Sequence, residues 1–168
     1  ILYTVPSRLI GRQLELHLYH DRIVGYVDRQ QVVELPRIRS TAKGKRRARA
    51  INYRHVIEGL RRKPRAFLYC TWQADLLPNT QYQSLWQTMQ QQFERDSAAI
   101  VMVEALYIAA TQNKEATVAD YLSAQLAAGT LSLSRLRRHF QLLRDQQVPT
   151  VTVQQHQLDD YDQLLFPL

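Results

Sequence analysis

The apolar positions follow two rhythms along the chain. Near the start they alternate. Residues 2–6 form a short β-prone run, and residues 13–19 place Leu14, Leu16 and Leu18 on one face. A period of two predicts a half-buried strand. Residues 20–22 read as a turn, 23–27 as a second strand, 28–30 as another turn and 31–35 as a third full strand. Short strands at such spacing, joined by polar turns, predict a meander that curls into a small β-barrel.

After residue 50 the rhythm changes to that of helices. Val56, Ile57 and Leu60 make a helical stripe that Pro64 breaks, and Pro64 can open a short helix to residue 68. Thr80 is the expected N-cap of a helix carrying Tyr82, Leu85, Trp86, Met89 and Phe93 inward. Asp96 or Ser97 caps the next, 98–111, which is apolar nearly all round and therefore central. Residues 115–128 bury Val118, Tyr121, Leu122 and Leu126 and stop at Gly129. Ser134 caps a fourth helix with Leu136, Phe140 and Leu143 inward. Residues 148–153 can add an extended segment, and Leu158, Tyr161, Leu164 and Leu165 a closing helix. The expected class is α+β: a small β-barrel at 1–50 with a basic arm at 36–50, basic linking helices at 51–73, and an α-helical bundle at 74–168.

Composition narrows the function classes. The 168 residues are 45% hydrophobic, enough for a core, and the formal charge is +7. One cysteine, Cys70, allows neither an internal disulfide nor a cysteine-based zinc site, so a reducing compartment is expected. The longest apolar run, 98–110, is interrupted by Glu104 and is too short to cross a bilayer. The chain opens at Ile1, which reads as a piece of a longer polypeptide.

Catalytic constellations are hard to find. His17, His20, His55, His139 and His156 make no helical i, i+4 pair and no cysteine–histidine cluster. Cys70 lies in an apolar stretch and reads as a packed thiol. Asp159, Asp160 and Asp162 cluster near the end, where solubility and a helix N-terminus explain them better than magnesium. No nucleophile elbow or phosphate-cradling glycine loop occurs.

Charge placement is the stronger signal. Residues 1–73 hold 16 Lys and Arg against five Asp and Glu, whereas residues 74–168 hold six against ten. Seven positive charges and no negative one fall within 36–49. Such a tract neutralises phosphates and releases counterions without reading base sequence. The expected nucleic-acid contacts are Arg37, Arg39, Lys43, Lys45, Arg46, Arg47 and Arg49, continued by Arg54, Arg61, Arg62, Lys63 and Arg65. Arg46, Arg47 and Arg49 also suit a minor groove. The tract alone does not separate DNA from RNA.

Several segments resemble a known family. Tyr3-Thr4-Val5-Pro6-Ser7-Arg8-Leu9-Ile10-Gly11-Arg12 followed by Leu14-Glu15-Leu16, then His20-Asp21-Arg22-Ile23 and Val33-Glu34-Leu35-Pro36-Arg37, resemble the barrel that follows the catalytic core in bacterial insertion-sequence transposases. Residues 53–64, ending Arg61-Arg62-Lys63-Pro64, resemble the helix after that barrel in the IstA type, and 151–153 with 158–165 its closing segment. The resemblance implies a DDE, RNase H-like parent whose two-metal core binds magnesium, cuts and joins DNA, and lies outside this chain. It further implies that this region holds transposon-end duplex DNA and supports the synaptic complex. The expected partners are duplex DNA, the AAA+ helper ATPase IstB and further copies of the full-length protein, with no membrane. The setting is the bacterial cytoplasm, associated with the nucleoid. No catalytic or metal-binding residue and no cofactor is assigned to this piece. Two alternatives remain at this point: a docking module for the helper ATPase, and an RNA-binding domain.

Overall fold

The computed structural model describes residues 1–39 and 48–145. Strand β1 (Leu2–Tyr3) leads through a 3-10 turn, Ser7–Leu9, into β2 (Glu15–Leu18), β3 (Arg22–Val27) and β4 (Gln30–Pro36). These three strands form an antiparallel sheet in the order β2-β3-β4. Strand β5 (Arg49–Ala50) pairs in parallel with β1, with Leu2 opposite Arg49 and Tyr3 opposite Ala50. Helices α1 (Ile57–Arg62), α2 (Thr80–Gln92), α3 (Arg95–Gln112), α4 (Glu115–Ala127) and α5 (Leu133–Asp145) follow, with 3-10 turns at Tyr53–His55, Pro64–Tyr69 and Gln73–Leu76.

The expected barrel is not formed. The fold is mixed α and β and mostly helical, with one three-stranded and one two-stranded sheet. Among the described residues β2 and β4 are both edges, and β5 joins β1 instead of closing the meander. Three strands of four to seven residues cannot tilt and stagger into a closed cylinder. The consequence is visible on β2. Leu16 and Leu18, the face a barrel interior would cover, are 53% and 63% exposed.

Local geometry explains the hairpin. Val27 pairs with Gln30, so Asp28 and Arg29 alone make the turn, at φ of 52° and 66°. Positive φ at both central residues gives the twist that a two-residue hairpin requires. Gly25 sits opposite Val33 next to a register shift at Gly25/Tyr26. A Cβ on Gly25 would lie 2.7 Å from Val33 Cγ1, so only glycine fits there.

The helical core forms around α3. Ala98, Ala99, Val101, Met102, Val103, Ala105, Leu106 and Ala109 are all buried, over more than half of the helix circumference. Tyr82, Leu85, Trp86 and Met89 of α2 pack into the same core, with Val118 and Leu122 of α4 and Leu136 and Phe140 of α5. It also takes in Tyr53, Ile57 and Phe67, and Phe67 meets Trp86 edge to face at 5.1 Å. Several helix starts differ from expectation. Asn79, not Thr80, caps α2 by accepting from Tyr82 N at 3.1 Å. Helix α3 begins at Arg95, ahead of Asp96 and Ser97. Ser132 Oγ, not Ser134, accepts from Arg135 N at 3.3 Å ahead of α5. Gly129 does stop α4, at φ 64°. The sheet side joins the helices through Thr4. Its hydroxyl accepts from Asn52 N at 2.9 Å, and its carbonyl lies 2.9 Å from His55 Nδ1.

No helix among the described residues is long and apolar enough to cross a membrane. The extended segment expected at 148–153, the closing helix with Leu158 to Leu165 and the aspartates at 159, 160 and 162 lie outside the described residues. So does the side chain of Leu143.

Two substitutions test the hairpin. Arg29→Gly removes a left-handed strain of about 1 kcal/mol and should raise hydrogen-exchange protection of the β3 amides. Gly25→Ala should lower it, by about 1–3 kcal/mol of overpacking. Equal protection in the two variants would refute this account of the turn.

Candidate nucleic-acid interface

Lys43, Lys45, Arg46 and Arg47 lie outside the described residues, so the structure speaks for Arg37, Arg39, Arg49, Arg54, Arg61, Arg62, Lys63 and Arg65. These eight do not share one environment. Arg37 donates to Tyr19 O at 2.6 Å and Arg39 to His20 O at 3.4 Å, which sets both guanidiniums against the β2–β3 turn. Arg49 pairs with Asp75 at 3.3 Å, and Arg65 with Asp96 at 2.8 Å. Arg54 reaches Glu115 Oε1 at 2.9 Å and Asn113 Oδ1 at 2.8 Å. Arg61 pairs with Glu104. Only Arg37, Arg39, Arg62 and Lys63 of this set carry no ion pair among the described residues. A guanidinium already facing a carboxylate offers less net charge to a phosphate, so the eight are not equivalent phosphate contacts.

The Arg54 pair belongs to a small cluster. Tyr53 Oη donates to Glu115 Oε1 at 2.5 Å, and Tyr82 Oη donates to Glu115 O at 2.9 Å. The hydrogen bond from Tyr53, then those and the charge of Arg54, hold the Glu115 carboxyl below its ordinary value despite burial. Burial and Glu115 push the Tyr53 phenol up, and burial does the same to Tyr82. This cluster ties the 3-10 turn before α1 to the start of α4. His55, next to it, is pushed down by burial against the opposing hydrogen bond to Thr4. Burial therefore disfavours the charged form of this imidazole.

The second cluster centres on Glu104. This carboxylate stands in the middle of the apolar helix α3 and is 4% exposed. Arg137 of α5 grips it with a fork: Nε to Oε1 at 3.0 Å and Nη2 to Oε2 at 3.0 Å. Arg61 of α1 approaches from the other side, with Nη2 to Oε1 at 3.3 Å and Nε to Oε2 at 3.4 Å. The Arg61 guanidinium also stacks over Tyr107, 3.8 Å from the ring centroid. Burial would raise the Glu104 carboxyl. The hydrogen bonds and charge of Arg137, followed by those of Arg61, outweigh it and hold the group below its ordinary value. Arg137 in turn is pushed up by its bond to Glu104.

A cavity of about 580 Å³ opens over this cluster, with Thr111, Gln112, Phe140 and Gln141 completing its wall. Both arginine side chains remain roughly half exposed, 42% for Arg61 and 52% for Arg137. The sequence reading missed Arg137 and the role of Glu104. The signals were present: one charge inside the apolar run 98–110, and a basic sequence Arg135-Leu136-Arg137-Arg138 in the last helix. No group of three or more His, Cys, Asp or Glu that could hold a metal comes together among the described residues.

The clusters make acid sensitivity predictable. Glu104 and Glu115 both have a folded value below the ordinary 4.5. Protons then bind the unfolded chain more readily, so the stability these groups give is complete above pH 4.5 and is lost as pH falls through their folded values. The thermal midpoint should hold above that pH and drop below it, with a shallower drop in Glu104→Gln. Arg137→Ala leaves the buried carboxylate half satisfied and should cost about 1–3 kcal/mol at neutral pH. An acid limb identical in Glu104→Gln and wild type would refute the assignment.

No protein-family model matches the chain, and no solved structure matches it. Over 166 residues the chain is 36% identical to a protein of Sinorhizobium fredii (strain NBRC 101917 / NGR234) named uncharacterized protein y4jA/y4nE/y4sE. The match covers 98% of this chain and 32% of that protein, so the chain spans about a third of the length of the curated relative it matches.

Proposed function

We propose that this chain is a DNA-binding and assembly region of an insertion-sequence transposase, contacting transposon-end duplex without the catalytic core. The observation that carries the reading is the tract 36–49, with seven positive charges and no negative one, followed by Arg61-Arg62-Lys63 at the end of α1. A polyanion answers that charge, and duplex DNA is a dense one. The segment resemblances to the IstA type support the transposase parent. In this reading the magnesium-dependent chemistry belongs to the rest of the protein, the setting is the bacterial cytoplasm near the nucleoid, and the working form assembles from several full-length copies.

A second reading, docking of a AAA+ helper ATPase, has one observation in its favour. The exposed Leu16 and Leu18 give the sheet an apolar face of the kind that protein partners cover.

The test is a salt titration of duplex binding. Lys43, Lys45, Arg46 and Arg47 changed together to Ala should flatten the slope of log affinity against log salt by up to about 3.6, at about 0.9 per phosphate contact. Arg49 is left in place because it spends its charge on Asp75. Affinity should fall equally for terminal-repeat and random duplexes, because phosphate contacts position without specifying. A slope and an affinity unchanged in the variant would sink the reading.

A further inference from the structure

We infer that Arg61 and Arg137, held side by side by Glu104, form a seat for a backbone phosphate of duplex DNA in the groove between α1 and α5. This rests on the DNA-binding reading above and extends it to the helical half, whose overall charge is negative. Each guanidinium has five N–H donors. Glu104 takes two from each, through Nε and Nη2, and no other hydrogen-bond acceptor meets these two side chains among the described residues. Among the described residues, three donors on each arginine are therefore open. Two positive charges around one negative leave the cluster at +1.

The geometry suits an oxyanion. The carboxylate fixes Arg137 by a two-point fork, and the Tyr107 ring underlies Arg61, so both groups are oriented before any ligand arrives. Pre-orientation lowers the ordering cost of binding. The cavity of about 580 Å³ in front of them accommodates a phosphate with its flanking sugars, and Gln112 and Gln141 line it with amides. Arg62 and Lys63 follow Arg61 in sequence, and Arg138 follows Arg137; all three are exposed with no ion pair among the described residues. A lone carboxylate ligand would be answered by the two arginines alone. The further exposed charges of α1 and α5 favour a polyanion.

The cluster also explains why a costly buried charge stands in α3. A hydrophobic residue at 104 would pack the helix with no desolvation cost. It would also leave Arg61 and Arg137 without the group that aims them.

The experiment uses the whole chain and a random duplex, titrated between about 50 and 200 mM salt. Arg137→Gln should flatten the slope by about 0.9, one phosphate contact. Glu104→Gln keeps the side-chain volume and removes the competing negative charge. It should tighten binding about fivefold, the factor for one unit-charge repulsion at about 4 Å in water. Thermal melts establish that each variant is folded; if one is not, the other decides. In wild-type protein the Arg61 and Arg137 Nε–H resonances should shift on adding duplex. Folded variants with the wild-type slope and affinity, or resonances that stay in place, overturn the seat. If the tract variant still flattens the slope in that case, the DNA-binding reading stands without it. A wild-type chain with no salt-dependent affinity for duplex overturns both.

Discussion

One carboxylate sets the arrangement of the helical body. Helix α3 is apolar nearly all round, and such a helix has little preference for the face it offers its neighbours. Glu104 breaks that symmetry. A buried carboxylate without partners would cost several kcal/mol, so only packings that bring guanidiniums to it are acceptable. The two that arrive come from α1 and α5, which are far apart in sequence and touch α3 on either side of the same point. The charge thus defines the rotation of α3 and the placement of two helices at once. Leu and Ala packing supplies most of the stabilisation, but it does not specify the orientation as sharply.

The helices were largely legible from spacing. Tyr82, Leu85, Trp86 and Met89 recur every three or four residues, and all are buried. Gly129 announced the end of α4 because its left-handed backbone suits glycine. Caps were less legible. Asn79 and Thr80 are both good capping residues, and the choice between them depends on backbone direction, which composition does not carry. Glu104 could be seen as an interruption of an apolar run. Its partners could not, since Arg61 and Arg137 lie 43 and 33 residues away.

The sheet shows the complementary limit. Alternation at 13–19 predicts a half-buried strand, but every residue of β2 is exposed, since a period of two says nothing about what covers the apolar face. The barrel required the last short strand to return to the meander. Instead β5 meets β1, a non-local pairing between two-residue strands that leaves no periodic trace. A similar ambiguity affects the basic residues. Arg61, Arg62 and Lys63 are neighbours in sequence and look alike, but one of them serves a buried carboxylate while the next two face solvent.

The contact between Phe67 and Trp86 gives the molecule a built-in spectroscopic division. The chain has two tryptophans, Trp72 and Trp86, and neither belongs to the sheet. Trp86 is 5% exposed inside the helical core, and Trp72 stands at the surface just before the 3-10 turn Gln73–Leu76. Indole emission therefore reports on the helical body alone, with a shielded blue component from Trp86 and a quencher-accessible one from Trp72. The strands carry only the phenol rings of Tyr3 and Tyr26. Melting of the sheet by itself would leave the indole signal unchanged, whereas loosening of α2 against the Pro64–Tyr69 turn would redden it at once. The two halves of this chain can be watched separately with no label added.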